Sequence, residues 1–550
     1  MIWLFANSEE PAMRQIFQIK MTTFILVMSA YFTLCFNYPI LAKIFDLSHS
    51  VSNVLFPYTA PIVLMAAFII IFTLLCWPYL FKPVMIFLTI TSSMALYAEV
   101  NYHTLFNNAV IESTFETNSD EAFSYLNTTS IMYVIFFGIV PSIWIAMVKI
   151  TKRESFIKAI VARIALLGIA CTAILLVGLT TFKTYAAVGR NNHFLNRMII
   201  PGHVYAGGKY LYKKFIYKPL PFKQQGLDAK LKPTDNHKPT LFVMLLGETA
   251  RTYDYAYNGY DRDTNPYTKN EGIISFKNVE SCGTYTALSV PCMFSNLTRA
   301  HYNQDRAYSQ DNAVDIIHRA GAEVLWLDND GGSKGVADRV NYEATDPSQH
   351  NKFCNGTSCY DGVMLDKAQA FINKDDKNKL LVLHLIGSHG PTYFKRYPAA
   401  FDKFKPSCNR SDIENCSDKE IKNVYDNTIL YTDYVTEQMI KMLKAKEDKY
   451  NVALLYMSDH GESLGENGFY LHGAPFSIAP KEQKHVPWLL WLPNQYAQAK
   501  GINKACLEKK ENQAGLSQDN LFPSLLSLYG VKSKVINPKL DITASCQVAA

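Results

Sequence analysis

The sequence lacks several features that would place it in familiar protein classes. None of its eleven cysteines belongs to a C-x-x-C pair, which argues against a zinc-cysteine module. It has no internal repeat and no low-complexity segment, which argues against repeat architectures and compositionally biased chains. The formal net charge is only +6 over 550 residues, and we therefore expect no nucleic-acid partner.

Charge is also missing from five long apolar runs within the first 182 residues. Each run is close to the roughly 20 residues that a helix needs to cross a bilayer. The first run has no small-residue cleavage site and is followed by four more, so it is not typical of a cleaved signal peptide. We predict a five-helix transmembrane domain over residues 1–182, with spans at Met21–Ala42, Val54–Trp77, Pro83–Ala98, Ser130–Val148 and Ile164–Phe182.

Basic residues indicate how these helices are oriented. Arg14 and Lys20 precede the first span, and five basic residues separate the fourth span from the fifth. The segment 99–121, by contrast, contains five acidic residues and no Lys or Arg. The positive-inside rule then places the N-terminus in the cytoplasm and everything after Phe182 on the outer side. The sequence therefore predicts a multi-pass membrane protein whose larger domain lies outside the cytoplasm.

The cysteines agree with this placement. Three lie in or beside the spans, and eight follow the last span. An even number of closely spaced cysteines in an oxidising compartment favours disulfides. The sequence leaves their connectivity open, but we expect near neighbours to pair: Cys282 with Cys292, Cys354 with Cys359, Cys408 with Cys416, and Cys506 with Cys546.

Two regions follow the membrane domain. Residues 183–238 mix lysines with aromatic and apolar residues, which fits either a helix in the lipid headgroup layer or a solvated basic linker. In residues 239–550, strand-like runs alternate with helical stretches, which predicts an α/β domain with a mainly parallel sheet flanked by helices. The predicted strands are Leu241–Leu246, Glu323–Leu327, Leu380–Ile386, Val452–Met457 and Pro487–Leu492, and the predicted helices are Asp311–Ala320, Tyr360–Ile372, Lys419–Lys446 and Ser517–Tyr529.

Two predicted strands are followed by residue types that bind metals. Glu248 follows the first strand, and Asp459 and His460 follow the fourth. Open α/β folds build their ligand sites at the carboxyl ends of such strands. Together with Thr286, from a hydroxyl-rich loop, these residues would form a four-ligand zinc site in which the metal activates the threonine as a nucleophile.

Four segments carry a resemblance to a known family: 247–251 (GETAR), 282–287 (CGTYTA), 289–295 (SVPCMFS) and 458–468 (SDHGESLGENG). They resemble the lipid A phosphoethanolamine transferases, including the mobile colistin-resistance enzymes, and the resemblance covers essentially the whole chain. It implies five spans in the bacterial inner membrane and a periplasmic domain of the alkaline phosphatase superfamily. It also implies that Thr286 is the nucleophile and that Glu248, Thr286, Asp459 and His460 bind one zinc ion.

The resemblance extends to a phosphate pocket. Lys334 matches a lysine credited with binding the phosphate of the donor. His389 and His472 match histidines that line the pocket and sometimes hold a second zinc ion. An ammonium and two imidazoles would stabilise negative charge on phosphoryl oxygens. His384, by contrast, lies within an apolar strand, and we expect it to be a core histidine whose hydrogen bonds are satisfied.

The acidic loop between the third and fourth spans also resembles the family. Thr117 and Glu121 match residues proposed to contact the lipid donor, and Glu121 would hold its ammonium group. Ser113 stands where the family usually has Asn, which weakens the match in this part of the pocket. A solvated acidic loop without a ligand is the alternative interpretation.

The resemblance implies a two-step transfer. Thr286 attacks the phosphorus of phosphatidylethanolamine, diacylglycerol leaves, and a group on lipid A then attacks the phosphoethanolamine-threonine intermediate. The added amine would lower the negative surface charge that attracts polymyxins. Both lipids lie in the same membrane as the enzyme, and we expect the enzyme to be a monomer.

Three alternatives carry different expectations. A sulfatase of the same superfamily would need a Cys/Ser-x-Pro-x-Arg motif, which is not found around Thr286. A non-catalytic relative would have lost its nucleophile or ligands, and a phosphoglycerol transferase fits the long match around Thr286 less well. The sequence leaves open the acceptor position on lipid A, or another glycan acceptor, and the number of zinc ions.

Overall fold

A computed structural model describes residues 18–49, 53–77, 79–106, 108–116, 125–151, 155–192, 194–234 and 236–548. The chain forms two compact units. One consists of Met1–Ile111 and Leu126–Tyr212, and the other of Glu112–Tyr125 and Lys213–Ala550. The three-part division expected from the sequence stays a prediction.

Apolar helices build the first unit around an aromatic core that includes Phe24, Phe32 and Phe72. Within the described residues, four helices are long and apolar enough to span a membrane, and a helix pair bent by 61° makes a fifth span if it is counted as one. Counted in this way, the five predicted spans are present. Their bounds are Met21–Phe36 with Tyr38–Ser48, Phe56–Leu75, Phe81–Tyr102, Thr128–Met147 and Phe156–Asn191.

The bend in the first span has a local cause at Asn37. Its side-chain amide donates to the carbonyl oxygens of Phe32 (2.9 Å) and Ile200 (2.7 Å), and its Oδ1 accepts from the N–H of Ile200 (3.0 Å). Pro39 lies in the first turn of the next helix and has no N–H to donate. Asn37 therefore gives both backbone polar groups of Ile200 a hydrogen-bond partner beside the break in the helix.

Two shorter helices lie at Asn108–Glu116 and Gly202–Phe215. The second exposes Tyr205, Tyr212 and Phe215 and ends with Lys213 and Lys214 in its last turn. This mixture of exposed aromatic and basic side chains fits a helix at a membrane surface. Its location in the headgroup layer stays a prediction.

An eight-stranded sheet organises the second unit. Its strands are β1 (Thr240–Gly247), β2 (Ile273–Glu280), β3 (Glu323–Asp328), β4 (Asn341–Ala344), β5 (Lys379–His384), β6 (Asn451–Ser458), β7 (His485–Trp491) and β8 (Leu516–Ser517). Their order across the sheet is β8-β2-β7-β6-β1-β5-β3-β4. Strands β6, β1, β5, β3 and β4 run parallel, and β7 is antiparallel to both of its neighbours.

The mainly parallel sheet is thus confirmed, although the sequence did not predict three of its strands. In β2 the apolar pattern is broken by Lys277 and Asn278, β4 is exposed along its whole length, and β8 has only two residues. Hydrophobic periodicity detects strands with continuous apolar runs and misses strands that are interrupted, exposed or very short. By contrast, β1 and β6 are buried at every position, as their continuous apolar runs predict.

Helices and short ladders complete the second unit. Its helices are α1 (Thr286–Met293), α2 (Gln304–Tyr308), α3 (Ala313–Arg319), α4 (Leu365–Asn373), α5 (Asp418–Lys444), α6 (Asn494–Ala499), α7 (Lys504–Glu508) and α8 (Leu521–Tyr529). Two-residue strands pair at Gln18–Ile19 with Lys149–Ile150, Lys230–Leu231 with Val531–Lys532, and Ser463–Leu464 with Tyr470–Leu471. The first of these ladders lies in the membrane unit.

Four disulfides tie the loops of the second unit. They join Cys282 to Cys292, Cys354 to Cys359, Cys408 to Cys416, and Cys506 to Cys546, which is the near-neighbour pairing expected from the sequence. Cys35, Cys76 and Cys171 are free and lie in or beside the membrane helices, also as expected.

We predict that Cys282→Ser combined with Cys292→Ser lowers the free energy of unfolding by about 2–3 kcal/mol, because the cross-link restricts the unfolded chain over a loop of this length. Thermal unfolding of the detergent-solubilised protein measures the change. Cys171→Ser removes a free cysteine and is the control. Equal melting temperatures for the double variant and the control would contradict the prediction.

Candidate active site

Two neighbouring strands deliver the central residues of the site. Glu248 follows β1, and Asp459 and His460 follow β6. The two strands pair in parallel, with Gly247 opposite Ser458. Residues that follow this pair therefore emerge side by side at the carboxyl edge of the sheet, and all three side chains are fully buried.

The distances among these side chains match those expected between metal ligands. Nε2 of His460 lies 3.3 Å from both Oε1 of Glu248 and Oδ2 of Asp459. Oγ1 of Thr286 lies 3.3 Å from each carboxylate oxygen of Glu248 and 3.4 Å from Nε2 of His460. Ligands bound tetrahedrally at about 2.1 Å would be roughly 3.4 Å apart. The four predicted ligands thus lie together with the spacing that zinc requires.

Hydrogen bonds orient these metal-ligand atoms toward one point. Nδ1 of His460 donates to the carbonyl oxygen of Gly461 (3.0 Å), which leaves Nε2 free to face the carboxylates. Oδ1 of Asp459 accepts from the backbone N–H groups of Thr249 and His460. Its other oxygen, Oδ2, is buried and has no hydrogen-bond partner. A buried carboxylate oxygen without a donor is costly, and a bound cation would stabilise it.

The pKa values show how strongly these groups interact in the protein alone. Burial opposes ionisation of Glu248, but the charge and hydrogen bond of His460, with the charge of His389 and a hydrogen bond with Asp459, together hold the pKa of Glu248 well below its usual value. Burial and the charge of Glu248 raise the pKa of Asp459 well above its usual value. Burial lowers the pKa of His460, yet Asp459 and Glu248 together raise it to about 10. A dication bound here would take the place of shared protons.

Thr286 differs from its three neighbours because its side chain is only half-buried. It is the first residue of α1, and the disulfide between Cys282 and Cys292 links the preceding loop to that helix. Gly283 allows the loop to close, since a Cβ there would lie 2.4 Å from Leu288. The threonine hydroxyl therefore sits at a helix N-terminus, where the aligned peptide dipoles favour negative charge.

Two further predicted histidines border the cluster. The ring centroid of His472 lies 4.6 Å from that of His460 and 5.2 Å from that of His389. Nδ1 of His472 lies 2.8 Å from Oε2 of Glu462. Oε1 of Glu462 accepts from the hydroxyl of Tyr393, and the glutamate is fully buried. Glu462 thus fixes the orientation of His472, a role that sequence analysis missed although the residue lies within a quoted motif.

Of the remaining predicted site residues, only Lys334 has a side chain that the structure describes. Lys334 lies in the loop after β3 with φ at 48°, and its Nζ donates to the carbonyl oxygen of Gly331 (3.3 Å). Ser113 belongs to the helix Asn108–Glu116, but its side chain is not described. Thr117 and Glu121 lie outside the described residues. The substrate-binding roles of these residues stay predictions.

The expectation for His384 is wrong at one of its two nitrogens. His384 is fully buried, and its Nδ1 lies 2.9 Å from Oδ2 of Asp328. Its Nε2, however, makes no hydrogen bond. A ligand atom from each of Glu248, Asp330 and His384 lies within 4.8 Å of the other two, so a second group of possible metal ligands adjoins the first. Sequence analysis missed this group because the three residues follow or end separate strands.

Comparisons with known proteins cover both units. A family model described as Sulfatase matches residues 240–531, and one described as Phosphoethanolamine transferase EptA/EptB matches residues 64–215. Phosphoethanolamine transferase EptA from Escherichia coli K12 is 35% identical over 96% of this chain and 97% of its own length. Phosphatidylethanolamine transferase Mcr-1 from Escherichia coli is 35% identical over 94% of this chain and 97% of its own.

A solved structure gives the same result for the fold. The integral membrane protein lipooligosaccharide phosphoethanolamine transferase A (EptA) from Neisseria meningitidis superposes with a TM-score of 0.92 at 33% sequence identity. The match covers 97% of this chain and all of that chain. The likeness therefore includes the apolar helices as well as the α/β unit.

We predict that Asp459→Asn weakens zinc binding at this cluster by about 100-fold or more, because it removes a charged ligand rather than an outer-shell partner. Zinc content after dialysis against buffered chelator is the measurement. Asp426→Asn changes another buried aspartate, on α5, and is the control. Unchanged zinc retention in Asp459→Asn would contradict the assignment.

Proposed function

Since the chain belongs to the phosphoethanolamine transferase family, we propose that it transfers phosphoethanolamine from phosphatidylethanolamine to lipid A. The observation that carries the proposal is the half-buried hydroxyl of Thr286 within 3.4 Å of buried carboxylate and imidazole groups. A hydroxyl so placed can be activated and is still accessible to a substrate. The protein is a multi-pass membrane protein, so both lipids can reach it within the bilayer.

In the first step, Oγ1 of Thr286 attacks the phosphorus of the donor. A P–O bond forms to the threonine, the P–O bond to diacylglycerol breaks, and the leaving oxygen takes up a proton. The hydroxyl of Thr286 donates toward both oxygens of Glu248 at 3.3 Å, which orients Oγ1 for the attack, and the proton it loses balances the one that the leaving oxygen takes up. A phosphate or hydroxyl oxygen of lipid A then attacks the phosphoethanolamine-threonine and restores Thr286.

Zinc fits the donor set of the site. Glu248, Thr286, Asp459 and His460 would hold it, and the unpartnered Oδ2 of Asp459 supports a cation at this position. Bound zinc lowers the pKa of a coordinated hydroxyl and offsets negative charge on a phosphoryl oxygen. We propose one firmly bound zinc ion, with a second possible near His389 and His472.

The groups beside the cluster suit a phosphate. His472 is held through Nδ1 by Glu462, which leaves its other nitrogen available to a ligand. His389 lies against the ring of His472, and Lys334 contributes an ammonium group on the loop after β3. Positive or donating groups fixed around a phosphoryl group stabilise the charge that builds up during transfer.

The headgroup and the physiological effect complete the proposal. We propose that Thr117 and Glu121 contact the donor, with Glu121 pairing with its ammonium group and Ser113 nearby on the same segment. Transfer to lipid A adds a cationic amine and lowers the attraction of the outer surface for polymyxins.

The catalytic unit acts in the periplasm as a monomer. Residues 1–182 serve as the membrane domain, residues 183–238 as the connector and residues 239–550 as the catalytic domain.

Incubation with phosphatidylethanolamine should add one phosphoethanolamine group, about 123 Da, to the wild-type protein, because the nucleophile is transiently esterified. Intact mass spectrometry measures the adduct. Thr286→Ala should show no adduct. Thr284→Ala should retain it, since that hydroxyl already donates to the carbonyl oxygen of Ala474.

An adduct on Thr286→Ala would refute this nucleophile. Release of free phosphate or sulfate from test esters, without any adduct on the wild type, would instead favour a hydrolase, the activity suggested by the sulfatase match.

Lys334→Gln should slow adduct formation by about tenfold or more, because a charge-assisted hydrogen bond contributes about 1.5–3 kcal/mol. Quenched time courses of the mass adduct give the rate. Lys377→Gln replaces a lysine that is paired with Asp375 on the surface and is the control. Equal rates for the two variants would remove Lys334 from donor binding.

A further inference from the structure

We infer that Glu248, Asp330 and His384 form a second divalent-cation site, separate from the His389 and His472 pair, in which Glu248 is shared with the Thr286 site. The inference goes beyond the proposed transfer reaction and has only Glu248 in common with it. A ligand atom of each residue lies within 4.8 Å of the other two. Glu248 and His384 are fully buried, and the Asp330 side chain is 5% exposed.

The sheet register explains why these residues meet. In the parallel ladder, β5 lies between β1 and β3, with His384 opposite Leu246 on one side and Asp328 on the other. Glu248 follows β1, and Asp330 is two residues beyond the end of β3. The carboxyl ends of three adjacent strands thus meet at one point. This point lies next to the Thr286 site, to which β6 contributes.

Asp328 fixes the orientation of the His384 ring through a contact with Nδ1. Its Nδ1 lies 2.9 Å from Oδ2 of Asp328, which also accepts from Nε1 of Trp326 (3.0 Å). Oδ1 of Asp328 accepts from the N–H groups of Asp330 (3.1 Å) and Gly332 (2.8 Å). A carboxylate surrounded by donors requires Nδ1 to carry the hydrogen, so the lone pair of Nε2 faces the cluster. A carboxylate that holds the far nitrogen of a histidine is the usual outer shell of a metal-binding imidazole.

Nε2 of His384 faces the cluster without a hydrogen-bond partner, and a bound cation would interact with it. Nε2 is fully buried and makes no hydrogen bond, which is costly in a protein interior. It lies 3.5 Å from Oδ2 of Asp330. That separation is close to the roughly 3.4 Å between tetrahedral ligands bound at about 2.1 Å.

An ion pair without metal explains these contacts less well. A protonated His384 between Asp328 and Asp330 would have to donate across 3.5 Å, beyond the usual 2.7–3.2 Å of an N–H···O bond. At Asp330, burial and the charge of Glu248 outweigh the attraction of the Lys334 ammonium group and raise the pKa of the carboxyl well above its usual value, and Nε2 of His384 is still without a hydrogen bond. One imidazole nitrogen and two carboxylate oxygens suit Zn²⁺ or Mn²⁺.

The test counts metal ions on the full-length protein in detergent. Protein stripped with chelator is reloaded with Zn²⁺, and bound zinc is measured by plasma mass spectrometry. His384→Gln and Asp330→Asn should each hold one ion fewer than the wild type. His318→Gln is the control, because His318 lies on α3 and its Nδ1 is bonded to the carbonyl oxygen of Ala322. Wild-type zinc content in Asp330→Asn would overturn the inference, whether or not His384→Gln folds.

Mn²⁺ provides a second readout that does not depend on activity. Two Mn²⁺ ions that share Glu248 should be spin-coupled in the wild type, and Asp330→Asn should give the uncoupled signal of one ion. A double variant, His389→Ala with His472→Ala, should keep the coupled signal. Loss of coupling in that double variant, with coupling retained in Asp330→Asn, would place the second ion at the histidine pair and overturn the inference. If coupled ions are present but Thr286 forms no adduct, the transfer proposal fails while this site stands.

Discussion

The structure depends on one electrostatic constraint, which is the gathering of acidic groups at the carboxyl edge of the parallel strands. Glu248 and Asp459 are fully buried, and Asp330 nearly so. Bringing such charges out of water is unfavourable unless cations and hydrogen-bond donors accompany them. Imidazole and backbone N–H groups accompany these carboxylates, and the proposed metal ions would supply the remaining positive charge beside Thr286.

The backbone is strained at Thr249, which contacts both Glu248 and Asp459. Thr249 is β-branched yet adopts φ of 56°, a region that such residues rarely occupy. Its N–H donates to Oδ1 of Asp459, its hydroxyl donates to Glu248, and its carbonyl oxygen accepts from the hydroxyl of Tyr425. Strain of this kind persists where the surroundings over-determine the conformation, as at a functional site.

Much of this could be predicted because it depends on local patterns. The apolar runs of β1 and β6 predicted both strands and the position of the site residues that follow them. The close spacing of the cysteines favoured the observed disulfides. The second ligand group could not be predicted, since it requires knowing that β5 lies between β1 and β3. The burial of Glu462 and its contact with His472 likewise depend on a turn that no periodicity describes.

The most direct measurement is anomalous X-ray scattering at the zinc edge from crystals of the full-length protein. We expect a peak at about 2.0–2.3 Å from Oγ1 of Thr286 and from ligand atoms of Glu248, Asp459 and His460. A zinc-loaded crystal with no peak at that position, and metal bound only elsewhere, would contradict the claim that this strand edge is a metal-assisted nucleophile site.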